Sequence, residues 1–297
     1  FTIVTALRIF ALQKDNKIMT NKVLKAGVVG WPINHSLSPI IHKHWLAEYS
    51  IQGEYIPVAI EPENLKGFLC ELSDNGWKGL NVTLPHKIAA MKAVDKLDLN
   101  AEQVGAVNTI TVQPDGTLRG SNTDGYGFLK NLQQEHSDWS TDRPVIVLGA
   151  GGAARAILVM LVEKGSSEIR LVNRDKSKAE YLANEISDNI TVYGWSDRSL
   201  VLNDAGLLVN TTCLGMTGQK PLEIDLKRLP QNAVVNDIVY NPIETDLLRS
   251  AKQRGNRVVD GLGMLLHQAC FGFSEWFGVN PKVTEGLRNK VLNAMKS

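Results

Sequence analysis

A glycine-rich turn that joins an apolar segment to a helical segment constrains the fold of this chain more than any other feature. Residues 144–148 are apolar, and Gly149-Ala150-Gly151-Gly152-Ala153-Ala154 follows them at the start of a predicted helix over 153–164. In a dinucleotide-binding fold the first glycine makes the tight turn, the second lets backbone approach the pyrophosphate, and the third position is small. Helix N-terminal amides then face the phosphates. The glycines alone are also compatible with a plain tight turn.

The end of the next apolar segment makes this signal specific. Residues 169–172 are followed by Asn173 and Arg174, where an NAD-binding fold usually has an aspartate or glutamate. An acidic residue accepts from a free ribose 2′-hydroxyl and repels a 2′-phosphate, whereas an arginine does the reverse. Lys178 adds a second positive charge, and Asp175 opposes both cations. The pattern therefore predicts a dinucleotide site that favours NADP.

Length and charge exclude several classes of protein. The 297 residues indicate two domains, and 32 basic against 31 acidic residues argue against a nucleic-acid or anionic-membrane surface as the main partner. Cys70, Cys213 and Cys270 are widely spaced, so we expect three buried small residues rather than disulfides or a zinc site. No apolar run is as long as a membrane span. A protein of the reducing cytoplasm fits these features.

The first eighteen residues differ from the rest of the chain. Residues 1–12 are apolar with one charge and residues 13–17 are polar, without the basic start and small-residue cleavage site of a secretory signal. We therefore expect residues 1–18 to be an upstream extension outside the conserved fold.

Alternating strands and helices predict an α/β fold in two domains. The first series starts at Lys25 and includes a hairpin whose strands flank Pro114-Asp115-Gly116, which predicts a mixed, mostly parallel sheet. The second series is Rossmann-like. We expect a substrate-binding domain over 19–125 and an NADP-binding domain over 126–260. The strand-free segment 261–297 should complete the first domain. We expect the active site to lie in a cleft between the two domains, and we expect the domains to meet only around that cleft. Strands of the second series are predicted at 145–148, 169–172, 191–193, 207–210, 234–237 and 258–259.

Polar residues cluster where strands of the first series end, which is where open α/β sheets bind ligands. Ser38 is a good helix N-cap with Pro39 at the first helical position. Capping explains Ser38 but leaves Ser36 unexplained, whereas a carboxylate ligand held by both hydroxyls explains both.

A lysine, an asparagine and an aspartate form the second polar group. Lys87 falls in a first helical turn, where the helix dipole disfavours a cation and a carboxylate would compensate. A lone Lys87 would be interpreted as a surface residue and a lone Asp124 as a helix cap. Their occurrence with Asn108 at strand ends, beside a dinucleotide site, instead favours a catalytic role.

Six motifs follow one another along the chain. They are His35-Ser36-Leu37-Ser38-Pro39, Asn81-Val82-Thr83-Leu84-Pro85-His86-Lys87, Gly105-Ala106-Val107-Asn108-Thr109, Gly120-Ser121-Asn122-Thr123-Asp124-Gly125, Gly149 to Ala153, and Asp260-Gly261-Leu262-Gly263-Met264-Leu265-Leu266-His267-Gln268-Ala269. In this order, over about residues 25–279, they resemble those of the shikimate dehydrogenase family. The resemblance implies reversible, NADP-linked reduction of 3-dehydroshikimate to shikimate, in aromatic amino-acid biosynthesis.

The resemblance also implies roles for individual residues. Lys87 and Asp124 would be the catalytic pair, because hydride addition to a ketone builds negative charge on oxygen that a cation stabilises and protonates. No metal is needed for this step. Ser36 and Ser38 would bind the substrate carboxylate, and Thr83, Asn108, Tyr240 and Gln268 would contact hydroxyls or line the pocket. The nicotinamide would lie near Ile238 and Gly261.

Two alternatives remain open at this point. The family typically has Asn-Arg-Thr at the adenine side, whereas this chain has Asn173-Arg174-Asp175. The related quinate/shikimate dehydrogenases, which use NAD as well, carry an aspartate near the position of Asp175. The first alternative is therefore a quinate/shikimate dehydrogenase that uses NAD or both cofactors. A non-catalytic sensor on the same fold would have lost the lysine–aspartate pair, and both residues are present. The sequence does not distinguish a monomer from a homodimer.

Overall fold

Two six-stranded sheets, each with an apolar core on both faces, form the framework of the molecule. The structure is a computed structural model that describes residues 23–296. The predicted extension over 1–18 lies outside the described residues. The two-sheet arrangement confirms the predicted α/β fold class.

The first sheet is built from strands β1 to β6 in the order β2-β1-β3-β5-β6-β4. Strands β1, β2 and β3 pair in parallel, β5 pairs with β3 and β6 in antiparallel fashion, and β4 is parallel to β6. The sheet is therefore mixed, with the predicted hairpin formed by β5 and β6. The elements are β1 (Leu24–Gly30), α1 (Ser38–Glu48), β2 (Gly53–Ala59), α2 (Leu65–Cys70), β3 (Trp77–Val82), α3 (Lys87–Ala93), β4 (Lys96–Leu97), α4 (Leu99–Val104), β5 (Thr109–Val112), β6 (Leu118–Ser121) and α5 (Asp124–Glu135).

The second sheet consists of six parallel strands in the order β12-β11-β10-β7-β8-β9. This is the doubly wound order of a Rossmann-like fold, whose crevice lies between β7 and β10 where the winding reverses. The elements are β7 (Val145–Leu148), α6 (Gly152–Glu163), β8 (Ile169–Asn173), α7 (Lys176–Ile186), β9 (Ile190–Gly194), β10 (Leu207–Asn210), β11 (Val234–Asp237), α8 (Asp246–Gln253) and β12 (Arg257–Val259).

Two helices follow the second sheet and pack on the first. They are α9 (Leu262–Phe277) and α10 (Glu285–Ala294). Phe273 of α9 is fully buried in the same apolar cluster as Trp45 of α1, and Leu287 of α10 joins that cluster. The indole nitrogen of Trp276 donates to the Ile110 carbonyl at 3.0 Å. The end of the chain therefore returns to the sheet with which the fold begins.

The two halves also meet through α4 and α6, at the edge of the cleft, since Val104 lines a cavity together with Gly151 and Gly152 of the glycine-rich turn. Val104 of α4 packs against Ala156 and Val159 of α6. Nε of Arg155 donates to the Gln103 carbonyl at 2.9 Å. The sequence did not predict this contact because the short elements β4 and α4 lack a clear period.

The cysteines also differ from expectation. Cys70 and Cys213 are exposed and Cys270 is only partly buried. Cys70 ends the short helix α2, one position after the buried Leu69, and so faces solvent. No helix within residues 23–296 is long and apolar enough to cross a membrane.

Candidate active site

A cavity of about 410 Å³ lies where strands of the first sheet end and faces the glycine-rich turn of the second. Ile238, Gly261 and Ala153 line it from the side of the second sheet. The structure thus brings every predicted substrate-binding residue to one cavity. These residues are Ser36, Ser38, Thr83, Lys87, Asn108, Asp124, Tyr240 and Gln268.

Lys87 and Asp124 form an ion pair at the wall of this cavity. Nζ of Lys87 lies 2.6 Å from Oδ2 of Asp124, and the two side chains are 27% and 15% exposed. Each residue is the first of its helix, α3 or α5. A carboxylate is favoured at a helix N-terminus and a cation is not, so the pair compensates for the unfavourable position of Lys87.

Asn108 fixes the second oxygen of the carboxylate. Its Nδ2 donates to Oδ1 of Asp124 at 2.8 Å and to the Thr123 hydroxyl at 3.0 Å. Its Oδ1 accepts from the Thr123 backbone amide at 3.0 Å. The Thr123 hydroxyl donates to the backbone carbonyl of Gln268 at 2.9 Å, which links α9 to this network. Asp124 is therefore held at both oxygens before any ligand binds.

The two serines line the cavity from the start of helix α1. Helix α1 begins one residue earlier than expected, so Leu37 is its N-cap and Ser38 its first residue, which corrects the predicted capping role of Ser38. The backbone amide of Ser38 donates to Oγ of Ser36 at 3.3 Å. Pro39 has no N–H, and the Ile40 amide donates to the Leu37 backbone carbonyl at 3.0 Å. The groups at this helix end that can bind an anion are therefore the two serine hydroxyls.

The segment that follows β11 supplies Ile238 and Tyr240. Asp237 anchors this segment because its buried carboxylate accepts from the Val239 amide at 3.1 Å and from the Thr245 hydroxyl at 2.7 Å. Burial raises the pKa of Asp237 to about 6. Burial also raises the pKa of Tyr240, so its phenol stays protonated and can donate a hydrogen bond.

The glycine-rich turn leads into a second, larger cavity of about 1060 Å³ that shares Lys87, Asp124, Ala153, Ile238 and Tyr240 with the first. Gly149 has φ +104°, and a Cβ there would lie 2.8 Å from the Thr211 hydroxyl, so only glycine fits. A Cβ at Gly151 or Gly152 would meet no protein atom. The backbone at the N-terminus of α6 is therefore open to a phosphate group, and Ala150 is buried behind it.

The predicted adenine-side residues lie at the tip of β8, outside both cavities. Asp175 is the N-cap of α7, and its Oδ1 accepts from the Lys178 amide at 3.0 Å. Nδ2 of Asn173 donates to the Asp175 carbonyl at 2.8 Å. Within residues 23–296 neither Arg174 nor Lys178 has an ion-pair partner, so both charges are free to meet a ligand. The capping role of Asp175 also reduces its repulsion of an incoming phosphate.

Several cavity residues were not singled out from the sequence. Thr211 and Thr212 follow β10 and line the larger cavity, and Asn81, at the end of β3, lines the smaller one. Their position at the carboxyl ends of strands was the signal that could have identified them. Within the described residues, no cluster of histidine, cysteine, aspartate or glutamate is arranged to hold a metal ion.

Comparison with known proteins identifies the family. Residues 28–110 match the family model of the shikimate dehydrogenase substrate binding domain, and residues 131–220 match that of shikimate / quinate 5-dehydrogenase. Shikimate dehydrogenase (NADP(+)) of Paramagnetospirillum magneticum is 51% identical over 276 residues, which cover 93% of this chain and 100% of that protein. The chain belongs to the shikimate dehydrogenase family. The resemblance stated from the six motifs is confirmed.

Solved structures agree with this assignment. Shikimate 5-dehydrogenase from Thermus thermophilus, in complex with NADP(H) and shikimate, superimposes with a TM-score of 0.81 at 34% identity and covers 92% of this chain and 100% of its own. Quinate dehydrogenase from Corynebacterium glutamicum, in complex with NAD, gives a TM-score of 0.83 at 27% identity and covers 93% and 99%. The shikimate dehydrogenase family fold therefore extends over nearly the whole chain.

Proposed function

We propose that this chain is an NADP-dependent shikimate dehydrogenase that reversibly reduces 3-dehydroshikimate to shikimate in the shikimate pathway. The observation that carries the proposal is the Lys87–Asp124 ion pair in a cavity lined by every residue that the family resemblance assigned to the substrate. A family member at 51% identity bears the name of this activity.

The residues at the second sheet fit the cofactor. The open backbone above Gly151 and Gly152 suits a pyrophosphate. The charges of Arg174 and Lys178, which have no ion-pair partner among residues 23–296, suit a 2′-phosphate. When bound, NADPH supplies the hydride. Ile238 and Gly261 would lie beside its nicotinamide, because both line the substrate cavity from the side of the second sheet.

The chain's own groups would act on the substrate as follows. Ser36 and Ser38 bind the carboxylate and orient the ring, while Thr83, Asn108, Tyr240 and Gln268 contact its hydroxyls or wall the pocket. Lys87 stabilises the negative charge that builds on the carbonyl oxygen and donates a proton to it. Asp124 orients the ammonium group and accepts a hydrogen bond from the resulting hydroxyl, and in the reverse direction the proton of that hydroxyl returns to Lys87.

We assign domains on the same basis. Residues 19–125, completed by 261–297, would form the substrate-binding domain, and residues 126–260 the NADP-binding domain. The packing of α9 and α10 on the first sheet supports this division. Helix α5 contacts both α9 and α6, so it would connect the two domains at the cleft.

The second candidate is a quinate/shikimate dehydrogenase that accepts NAD. It is favoured by Asp175 at the adenine side and by the structural similarity to a quinate dehydrogenase in complex with NAD. The capping of α7 by Asp175 favours NADP instead, because it directs the carboxylate toward the helix.

Initial rates with each acid and each cofactor separate the two candidates. Reduced nicotinamide absorbance is followed with shikimate or quinate and with NADP or NAD. The first proposal predicts the highest kcat/KM for shikimate with NADP. A higher kcat/KM for quinate, or for NAD with either acid, would favour the second.

A further inference from the structure

Three buried residues behind the substrate cavity connect the core of the first domain to the catalytic carboxylate. Tyr55 lies on β2, Asn81 ends β3, and Thr109 begins β5 directly opposite Asn81 in the antiparallel pair of strands. Tyr55 and Thr109 are fully buried and line neither cavity of the site. They cannot touch substrate, so any effect on catalysis must pass through other residues.

Hydrogen bonds join these residues into one chain that ends at Asp124. The Tyr55 hydroxyl lies 2.6 Å from Oδ1 of Asn81, and Nδ2 of Asn81 lies 3.3 Å from Oγ1 of Thr109. The Thr109 hydroxyl lies 3.0 Å from Oδ1 of Asn108, whose Nδ2 lies 2.8 Å from Oδ1 of Asp124. Every link is within hydrogen-bond distance.

Backbone groups and the carboxylate fix the direction of the chain at its Asn108 end. The Thr123 amide can only donate, so the atom of Asn108 that faces it at 3.0 Å is the carbonyl oxygen. The Asp124 carboxylate can only accept, so the atom facing it is the amide nitrogen. Thr109 must therefore donate its hydroxyl proton to Asn108, and its oxygen is left as an acceptor for Asn81.

The Asn81 end is fixed in the same way. The group of Asn81 that faces the backbone carbonyl of Asn108 at 3.4 Å is assigned as Nδ2, because a second oxygen at this place would be repelled by the carbonyl oxygen. The remaining Asn81 oxygen must accept from Tyr55. Burial raises the pKa of Tyr55 well above its ordinary value, so the phenol keeps the proton that it donates.

All four links thus donate toward Asp124. We infer that Tyr55 and Thr109 are positioning residues, which polarise and orient the catalytic carboxylate through the chain Tyr55–Asn81–Thr109–Asn108–Asp124. Hydrogen bonds aligned in one direction strengthen one another, and the gain is largest in a buried site. The chain holds one carboxylate oxygen while Lys87 holds the other. This inference rests on the proposed role of the pair.

The strand β5 contains a matched control for this inference. Thr111 lies two positions from Thr109 and so on the same face of the strand, and it is also buried. Its hydroxyl has no hydrogen-bond partner within the described residues. Threonine to valine removes the hydroxyl at nearly constant volume at both positions, but only at Thr109 does it break the chain.

The test compares kcat and KM of Thr109→Val and Thr111→Val. The loss of one neutral hydrogen bond corresponds to about fivefold in rate, so Thr109→Val should lower kcat by roughly three- to tenfold with KM for the acid within about twofold. Thr111→Val should leave both constants unchanged. All variants are assayed with the acid and cofactor that the wild type turns over fastest. A wrong substrate assignment is therefore detected with the wild type alone, before any variant is compared.

Two further variants keep the test decisive if Thr109→Val folds poorly. Thr109→Ser retains the hydroxyl and should keep the wild-type kcat. Tyr55→Phe keeps the ring but removes the first donor and should lower kcat; KM for the acid is not the readout for this variant, because the Tyr55 phenol also interacts with the Ser38 side chain. In the double variant with Thr109→Val, Tyr55→Phe should add no further loss because the chain is already broken. A wild-type kcat in both Thr109→Val and Tyr55→Phe would overturn the inference. Equal losses of kcat in Thr109→Val and Thr111→Val would overturn it as well.

Discussion

Nζ of Lys87 lies 2.6 Å from Oδ2 of Asp124, although the two residues are 37 positions apart in the chain. Each begins a helix that follows a strand of the same sheet, so the sheet brings the two helix N-termini together. Lys87 occupies a position that the helix dipole disfavours, and Asp124 compensates for it. Lys87 thus occupies an unfavourable position at a helix N-terminus next to Asp124, the partner that its proposed catalytic role would need.

The two serines should contribute to binding rather than to the chemical step. Ser36→Ala or Ser38→Ala should each weaken binding of the acid by roughly 1.5–3 kcal/mol, the value of a hydrogen bond to a charged group, with little change in kcat. Steady-state KM and kcat for shikimate check this. Against the carboxamide of shikimate, which lacks the charge, the same variants should lose much less. Equal losses for both substrates would contradict a carboxylate contact.

Arg174 should determine most of the cofactor preference. Its guanidinium is exposed and unpaired within the described residues, so it can form a charge-assisted contact with a 2′-phosphate. Arg174→Ala should collapse the ratio of kcat/KM for NADP to that for NAD, and KM for NADP should rise with ionic strength more steeply than KM for NAD. If Arg174→Ala left the ratio of kcat/KM for NADP to kcat/KM for NAD unchanged, Arg174 would not be the residue that binds the 2′-phosphate.

Substitutions of Asp175 should separate its charge from its capping role. Asp175→Thr keeps an N-cap oxygen and removes the charge, so NADP preference should increase while the melting temperature is retained. Asp175→Ala removes both and should cost about 1 kcal/mol of unfolding free energy. Thermal melts and rates with both cofactors measure the two effects. A loss of NAD activity in Asp175→Thr without a gain for NADP would mean that Asp175 binds the ribose hydroxyls.

His42 should make the protein sensitive to acid. It is fully buried and stacked on Tyr55 at 3.9 Å between ring centroids, and burial lowers its pKa from 6.5 to about 3. Below about pH 6.5 the unfolded chain binds a proton that the folded protein does not, so unfolding free energy is lost as pH falls toward about 3, by up to about 1.4 kcal/mol per unit.

His42→Phe removes this titration and keeps an aromatic ring in the stack. Between about pH 7.5 and about pH 5, the wild type should lose about 2 kcal/mol more unfolding free energy than His42→Phe. Urea unfolding at both pH values gives this difference. Parallel losses in the two proteins would show that His42 is not the responsible group.

Much of the fold and site could be predicted from the sequence where local pattern and tertiary structure agree. The parallel strands of the second sheet are mostly apolar segments bounded by turn residues, so their predicted positions match the structure closely. The strand-end motifs place Lys87, Asn108 and Asp124 at one sheet edge, and the structure brings them into contact.

What could not be predicted depends on contacts without a local signature. The α4–α6 contact involves Val104 and Ala156, which belong to separate halves of the chain and follow no common period. The direction of the hydrogen bonds between Tyr55 and Asp124 is fixed by backbone groups of Thr123 and Asn108. Those groups carry no residue-specific signal. The motif that ends at Thr109 marks this residue in the sequence, but only the three-dimensional arrangement shows that its hydroxyl leads to Asp124 and that the Thr111 hydroxyl does not.

The central claim is that the Lys87 ammonium acts on the transition state, and the kinetics of Lys87→Ala test it most directly. Lys92→Ala is the matched control, because it removes an exposed lysine from the same helix. Lys87→Ala should lower kcat on the order of 100-fold or more while KM for shikimate changes far less, and Lys92→Ala should leave both unchanged. Near-normal kcat in Lys87→Ala, or a loss confined to KM, would contradict the account.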